Sequence, residues 1–332
     1  MNRTSVVNIA FYMILAGIFF IPFNSWEGLG FLGEFYRDSC FLFFLGAAIL
    51  LLFKKRIEIP RQNIIFQFLL LLLIWCLVAT LLNSSNVTNY FFKQTTGAER
   101  FINQYGALVL CSIILPIIFF NAFSLRNINK LFFTIRKVFL ASFIIVIIYA
   151  FFEVLIVKFE IQTLKVSVLN LFDYFPFTEA KTDNLLRRIS SVTFEPPALG
   201  TYLLSISGWM FSYILTDKTN WRFLPAIAIV ALAFISGSRA AFFIVIVQSC
   251  AFLLILSRKT KYSKVFLKIT LGLALTISVI SIVFSNQISE YVSNELQSFK
   301  LDDSDHSSSN RSRFGIQLAM YKVFLDNPFS GT

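Results

Sequence analysis

Apolar residues in this chain come in long uninterrupted runs, without the alternation of a half-buried strand or the single stripe of a soluble amphipathic helix. A helix rises about 1.5 Å per residue and a bilayer core is about 30 Å thick, so runs of this kind are read as membrane-crossing helices. Nine are predicted: Val6 to Phe23, Ser39 to Phe53, Ile64 to Leu82, Gly106 to Phe123, Val138 to Val157, Ala198 to Leu215, Phe223 to Ser236, Ala240 to Leu256 and Val265 to Phe284. The pattern thus predicts an all-α polytopic membrane protein, one transmembrane domain over residues 1–332, with two long segments between or after the spans, 158–197 and 285–332. The first run follows Arg3 and lacks a small-residue cleavage site, so it reads as a retained anchor. Within the second long segment, Ile288, Val292, Leu296 and Phe299 recur at helical spacing, as do Ile316, Met320, Val323 and Phe324. These are expected to lie on the membrane surface or cap a cavity, joined by the polar linker Asp302 to Ser309.

Composition agrees with the pattern. Of 332 residues, 57% are hydrophobic and 14% charged, whereas a soluble domain carries about 25% charged residues. Soluble doubly wound folds and β-sandwiches are thereby excluded. The four cysteines (Cys40, Cys76, Cys111, Cys250) sit inside apolar runs without C-x-x-C spacing, which predicts neither a disulfide framework nor a zinc site.

The net charge of +11 changes the picture only through its placement. With the N-terminus inside, one face holds 16 basic residues and two acids, Glu58 and Asp217, and the other holds 13 basic and 16 acidic residues. This is the asymmetry of the positive-inside rule, so a multi-pass membrane protein with a cytoplasmic N-terminus is expected. The basic excess is a topology signal; the partner it implies is the lipid bilayer, and nucleic acid is not expected. Both long segments then fall on the outer face, where any chemistry should occur.

Phosphate loops, dinucleotide fingerprints, H-E-x-x-H and G-x-S-x-G are missing, so no cofactor is expected. His306, the one histidine, reads as a solvated linker residue, with a metal held by Asp303, Asp305 and His306 as the alternative. Three clusters carry more. Arg187-Arg188 lead through Ile189-Ser190-Ser191-Val192-Thr193 to Phe194-Glu195-Pro196-Pro197, where proline predicts a helix start and leaves Glu195 at the helix entrance. Glu195 is either an N-cap or dipole partner, or a carboxylate serving an outward cavity beside arginines that hold phosphate. Ser236-Gly237-Ser238-Arg239 forms a tight turn after a run of about 14 apolar residues, about 21 Å of helix, which sets the turn below a surface about 30 Å away. Arg239 there either snorkels or meets an anion. Asn310-Arg311-Ser312-Arg313 opens the last amphipathic stretch, as a headgroup contact or as part of a diphosphate-binding funnel with the other arginines.

Phe194-Glu195-Pro196 after a basic segment, Ser236-Gly237-Ser238-Arg239 between two helices, and Arg313 with Asp326-Asn327-Pro328-Phe329-Ser330-Gly331 together resemble the bacterial O-antigen polymerase and O-antigen ligase family of membrane glycosyltransferases, over Arg187 to Thr332. The resemblance implies transfer of an oligosaccharide from undecaprenyl diphosphate to a sugar hydroxyl, without nucleotide, and with a chain-length regulator and a flippase of the same pathway as partners. It places this chemistry on the periplasmic face of a bacterial inner membrane and implies that Arg187 or Arg188, Arg239, and Arg311 or Arg313 bind the diphosphate and stabilise it as a leaving group, while Glu195 orients or deprotonates the acceptor. The family pattern continues past Gly331-Thr332, so a C-terminally truncated member is expected, and the histidine that ligases use has no match in His306. Polymerase is therefore the first reading and ligase the second. A lipid-linked oligosaccharide flippase, and a different membrane glycosyltransferase using Glu34 or Asp38, stay open.

Overall fold

The structure is a computed structural model that describes residues 3–28, 35–52, 57–85, 91–92, 95–157, 175–179, 189–257, 321–323 and 325. The described chain is mostly helical, as an all-α membrane protein would be. Four helices are long and apolar enough to cross a membrane: Ile64–Leu82, Gly97–Phe123, Ile128–Ile156 and Pro196–Thr216. Four shorter apolar helices accompany them, Val6–Phe20, Cys40–Leu52, Asn220–Ile235 and Ala241–Leu256. The ninth expected run, Val265 to Phe284, lies outside the described residues, as does nearly all of 285–332.

In chain order the helices are α1 (Arg3–Phe20), α2 (Cys40–Leu52), α3 (Ile64–Leu82), α4 (Gly97–Phe123), α5 (Ile128–Val157), α6 (Pro196–Thr216), α7 (Leu224–Ile235) and α8 (Arg239–Ser257). Several boundaries depart from the hydropathy reading for visible reasons. Helix α1 stops at Phe20, short of the expected Phe23, because Pro22 pushes Ile21 away from helical geometry. Helix α4 starts at Gly97, nine residues before the expected Gly106, with the Glu99 amide 3.3 Å from Thr96 Oγ1. Its Pro116 lacks an amide hydrogen and crowds the carbonyl of Ser112, and a π-helical turn over Leu110–Ile114 absorbs the mismatch. Helix α5 starts ten residues before Val138: Asn127 Oδ1 accepts the amides of Asn129 and Lys130 at 3.0 and 3.3 Å, a side-chain cap that outweighs the charges following it. Arg136 and Lys137, expected in a loop, are thus helical.

The chain forms two compact units, Met1–Leu73 with Phe101–Phe252, and Ile74–Arg100 with Leu253–Thr332. In the second, Phe91–Phe92 pair antiparallel with Thr95–Thr96. In the first, α1 packs on α2, α4 and α5, and α6 on α5 and α7. Gly17 of α1 faces the Phe44 ring and Gly46 of α2 faces Met13, the small-residue arrangement that lets helices approach closely. The core runs through Ile14, Phe23, Phe143, Val146, Ile189, Leu199, Leu203 and Met210, all buried. Polar links tie the helices together inside it. Tyr202 Oη donates to Ser142 Oγ at 3.1 Å, which donates to the Phe19 carbonyl at 2.7 Å, joining α6, α5 and α1. Ser207 Oγ donates to Gln248 Oε1 at 2.6 Å, joining α6 and α8.

Contacts sort this unit into two ends. At one, Arg126 bonds Asn8 at 2.7 Å, and buried Arg136 is held by the hydroxyls of Ser212 and Thr216 with its guanidinium 3.9 Å from the Tyr213 ring centre. At the other, the ends of α1 and α5 and the starts of α2 and α6 meet.

Candidate functional site

The segment leading into α6 is pinned from below. Ile189 and Val192 insert fully into the core, while Glu153, a buried residue of α5, accepts the Ser190 amide at 3.1 Å on either oxygen and the Ser191 amide at 2.6 Å. Ser190 Oγ reaches the same carboxylate at 3.3 Å and Ser191 Oγ donates to the Val146 carbonyl at 2.7 Å. Ser191 adopts φ 53°, the left-handed region, which turns the chain over the carboxylate. Thr193 Oγ1 then lies 2.7 Å from the Ser190 carbonyl and 3.0 Å from that of Glu195.

Glu195 stands at the N-cap position in extended geometry, φ −153° and ψ 157°, and Pro196 and Pro197 fill the first turn as expected. The carbonyl of Glu195 accepts the amides of Ala198 and Leu199 at 3.0 and 3.2 Å. Its carboxylate makes no capping bond and the residue is exposed, so the side-chain cap is not formed.

From above, the connection between α1 and α2 holds Phe194. Asn24 Oδ1 accepts the Phe194 amide at 2.9 Å while Asn24 Nδ2 donates to Asp38 Oδ1 at 3.2 Å. Burial pushes the Asp38 carboxyl above its ordinary range, with the Asn24 bond opposing in part. The Arg37 guanidinium lies 4.8 Å from the Phe194 ring centre and 5.1 Å from that of Tyr36, and Trp26 Nε1 donates to the Arg37 carbonyl at 2.6 Å. Residues Phe175 to Glu179 dock on the same end: Phe175 stacks on Phe23 at 4.9 Å, Phe177 meets Trp26 at 5.2 Å, and Glu179 accepts the Glu27 amide at 2.9 Å.

The turn between α7 and α8 arrives at the first turns of α6. Gly237 at φ 67° closes α7 in left-handed geometry, and the Ser238 amide reaches Ser236 Oγ at 3.3 Å. A Cβ added to Gly200 would stand 2.6 Å from Ala241 Cβ and 3.1 Å from Ser238 Oγ. Two of the three sequence clusters, the one ending in Glu195 and the one ending in Arg239, are therefore neighbours in space. Arg239 opens α8; its side chain lies outside the described residues, as do Arg187, Arg188, Arg311, Arg313 and Glu34. The alternative metal set at Asp303, Asp305 and His306 lies outside them too, and among the described residues no group of three or more His, Cys, Asp and Glu is placed to hold a metal ion.

Sequence reasoning missed three members. Glu153 carried a signal, a carboxylate inside an apolar run. Asn24 and Arg37 carried none, being single polar residues of a connection without a motif. Comparison with protein-family models, with curated proteins and with solved structures returns no match.

Proposed function

We propose that the chain is a membrane glycosyltransferase of the O-antigen polymerase type, transferring an oligosaccharide from undecaprenyl diphosphate to a growing glycan on the periplasmic face of the bacterial inner membrane. The observation that carries this reading is the seat at Gly200, which brings the Ser236-Gly237-Ser238 turn onto the helix that Glu195 opens. In the reaction the acceptor oxygen attacks the anomeric carbon of the donor sugar. The bond from that carbon to the diphosphate oxygen breaks, and the electron pair leaves with the diphosphate. Arg239, with Arg187, Arg188, Arg311 and Arg313, supplies fixed positive charge for the leaving group in a low-dielectric cleft. Glu195 takes the acceptor proton, a role its exposed and uncapped carboxylate is free to fill. The chain-length regulator and the flippase of the pathway are its proposed partners.

Replacing Arg239 with Ala in the full chain should abolish elongation of surface polysaccharide and leave single-repeat lipid A on a gel, while Arg239→Lys restores it only in part, since a point charge lacks the bidentate fork. A normal ladder from Arg239→Ala removes the reading. In a deletion strain, one repeat on the core marks a polymerase and none marks the ligase alternative.

One observation favours a second reading, in which a carboxylate of the first connection serves as base: Asn24 joins Asp38 to the Phe194 amide. Loss of the ladder in Asp38→Asn with retention in Glu195→Gln would move the base to Asp38.

A further inference from the structure

Arg37 belongs to none of the sequence clusters, yet it lies against the residue preceding Glu195. Its guanidinium lies over aromatic surface, with ring centres 4.8 Å away at Phe194 and 5.1 Å away at Tyr36. Its edges are uncommitted. The side chain donates no hydrogen bond to any described residue, Nε is buried without an acceptor, and the residue as a whole is half-buried.

A structural arginine at this position would be expected to pair with a carboxylate, and two are within a residue of its contacts. Asp38 is bonded to Asn24 instead, and Glu195, next to the ring on which Arg37 lies, forms no ion pair with it. The backbone is held as firmly as the side chain is left open, by Trp26 on the Arg37 carbonyl and by Asn24 between Asp38 and Phe194. A guanidinium without a hydrogen-bond partner, over aromatic surface and on a backbone held in place, matches an acceptor with two in-plane oxygens, as a phosphoryl group has. The start of α6, one residue beyond Glu195, adds the positive end of a 21-residue helix to the same neighbourhood.

We propose that Arg37 binds phosphate in the Glu195 site, gripping the diphosphate of a lipid-linked donor with its Nη edge and making the α1–α2 connection part of the substrate site. This rests on the transfer reading above and extends it to a residue outside its motifs.

The test is titration of the detergent-solubilised full chain with two probes, inorganic pyrophosphate and farnesyl diphosphate, followed by calorimetry alongside thermal unfolding. The wild type should bind both, the lipid diphosphate more tightly. Arg37→Ala should weaken both by about tenfold or more at an unchanged melting temperature, the loss of one charge-assisted bidentate pair, with Arg37→Lys in between. Binding by Arg37→Ala within about twofold of wild type, while Arg239→Ala loses it, overturns the Arg37 proposal and leaves the transfer reading standing. A wild type that binds neither probe removes both. Weakening that follows an equal drop in melting temperature in Arg37→Ala and Arg37→Lys makes the role structural and ends the proposal. An effect on pyrophosphate alone assigns a free-phosphate site and overturns the lipid-linked one.

Discussion

Glu153 shows how one side chain can shape the whole site. A carboxylate buried on α5 is tolerable because three donors from Ser190 and Ser191 converge on it, and the same bonds hold the left-handed turn that leads to Glu195. Glu153→Gln keeps the length but turns one acceptor into a donor facing amides. We expect a loss of about 2 kcal/mol, read as a lower melting temperature in detergent, together with reduced polymer ladders because Glu195 is no longer held. Asp38 makes a second residue-scale prediction, on pH. Its carboxyl is pushed above the ordinary value by burial, so between that value and the raised one the folded chain holds more protons than the unfolded chain, and stability falls as pH rises. Above the raised value the full penalty persists. Asp38→Asn removes it: the variant should melt no lower than wild type at neutral pH, and any advantage should vanish as the pH drops below the ordinary carboxylate range. An advantage that grows on acidification would contradict this account.

At the scale of elements, glycine placement does what hydropathy cannot. Gly200 and Gly208 lie two turns apart on α6, and only the first faces a neighbour: an added methyl at Gly200 meets Ala241 and Ser238, whereas at Gly208 it meets nothing within 4 Å. Alanine improves helix propensity at both by about 1 kcal/mol, so the surroundings decide the sign. Gly208→Ala should be neutral to stabilising. Gly200→Ala should be net destabilising by about 1–2 kcal/mol and should push the Arg239 turn off α6, with Ala241→Gly in the same chain restoring part of the loss. Thermal unfolding of the four proteins checks this. The early start of α5 belongs at this scale as well. Hydropathy places Arg136 in a loop, but a buried arginine can be carried by a helix when a partner helix presents hydroxyls and an aromatic ring, as Ser212, Thr216 and Tyr213 do on α6.

For the molecule as a whole, the sided charge distribution predicts where each end lies. Reporter fusions in the Asp217–Asn220 connection should report cytosol and those in the Ser236–Ser238 turn should report periplasm; the reverse result would remove the proposed function with the topology. Much of the architecture was legible beforehand. The bounds of α3, the start of α6 at Pro196 and the tight turn at Gly237 follow from apolar run length and from backbone chemistry local to proline and glycine. The site was legible only in its motif-bearing half. Asn24 and Phe194 are 170 positions apart, and nothing local to either announces the bond between them. Hydrophobic run length and charge sidedness are sums over neighbouring residues, so the sequence by itself determined the helices and their expected orientation. Which single polar side chains face one another across the bundle depends on how those helices rotate and approach, and only the tertiary structure decided that Glu153, Asn24 and Arg37 surround the segment that ends in Glu195.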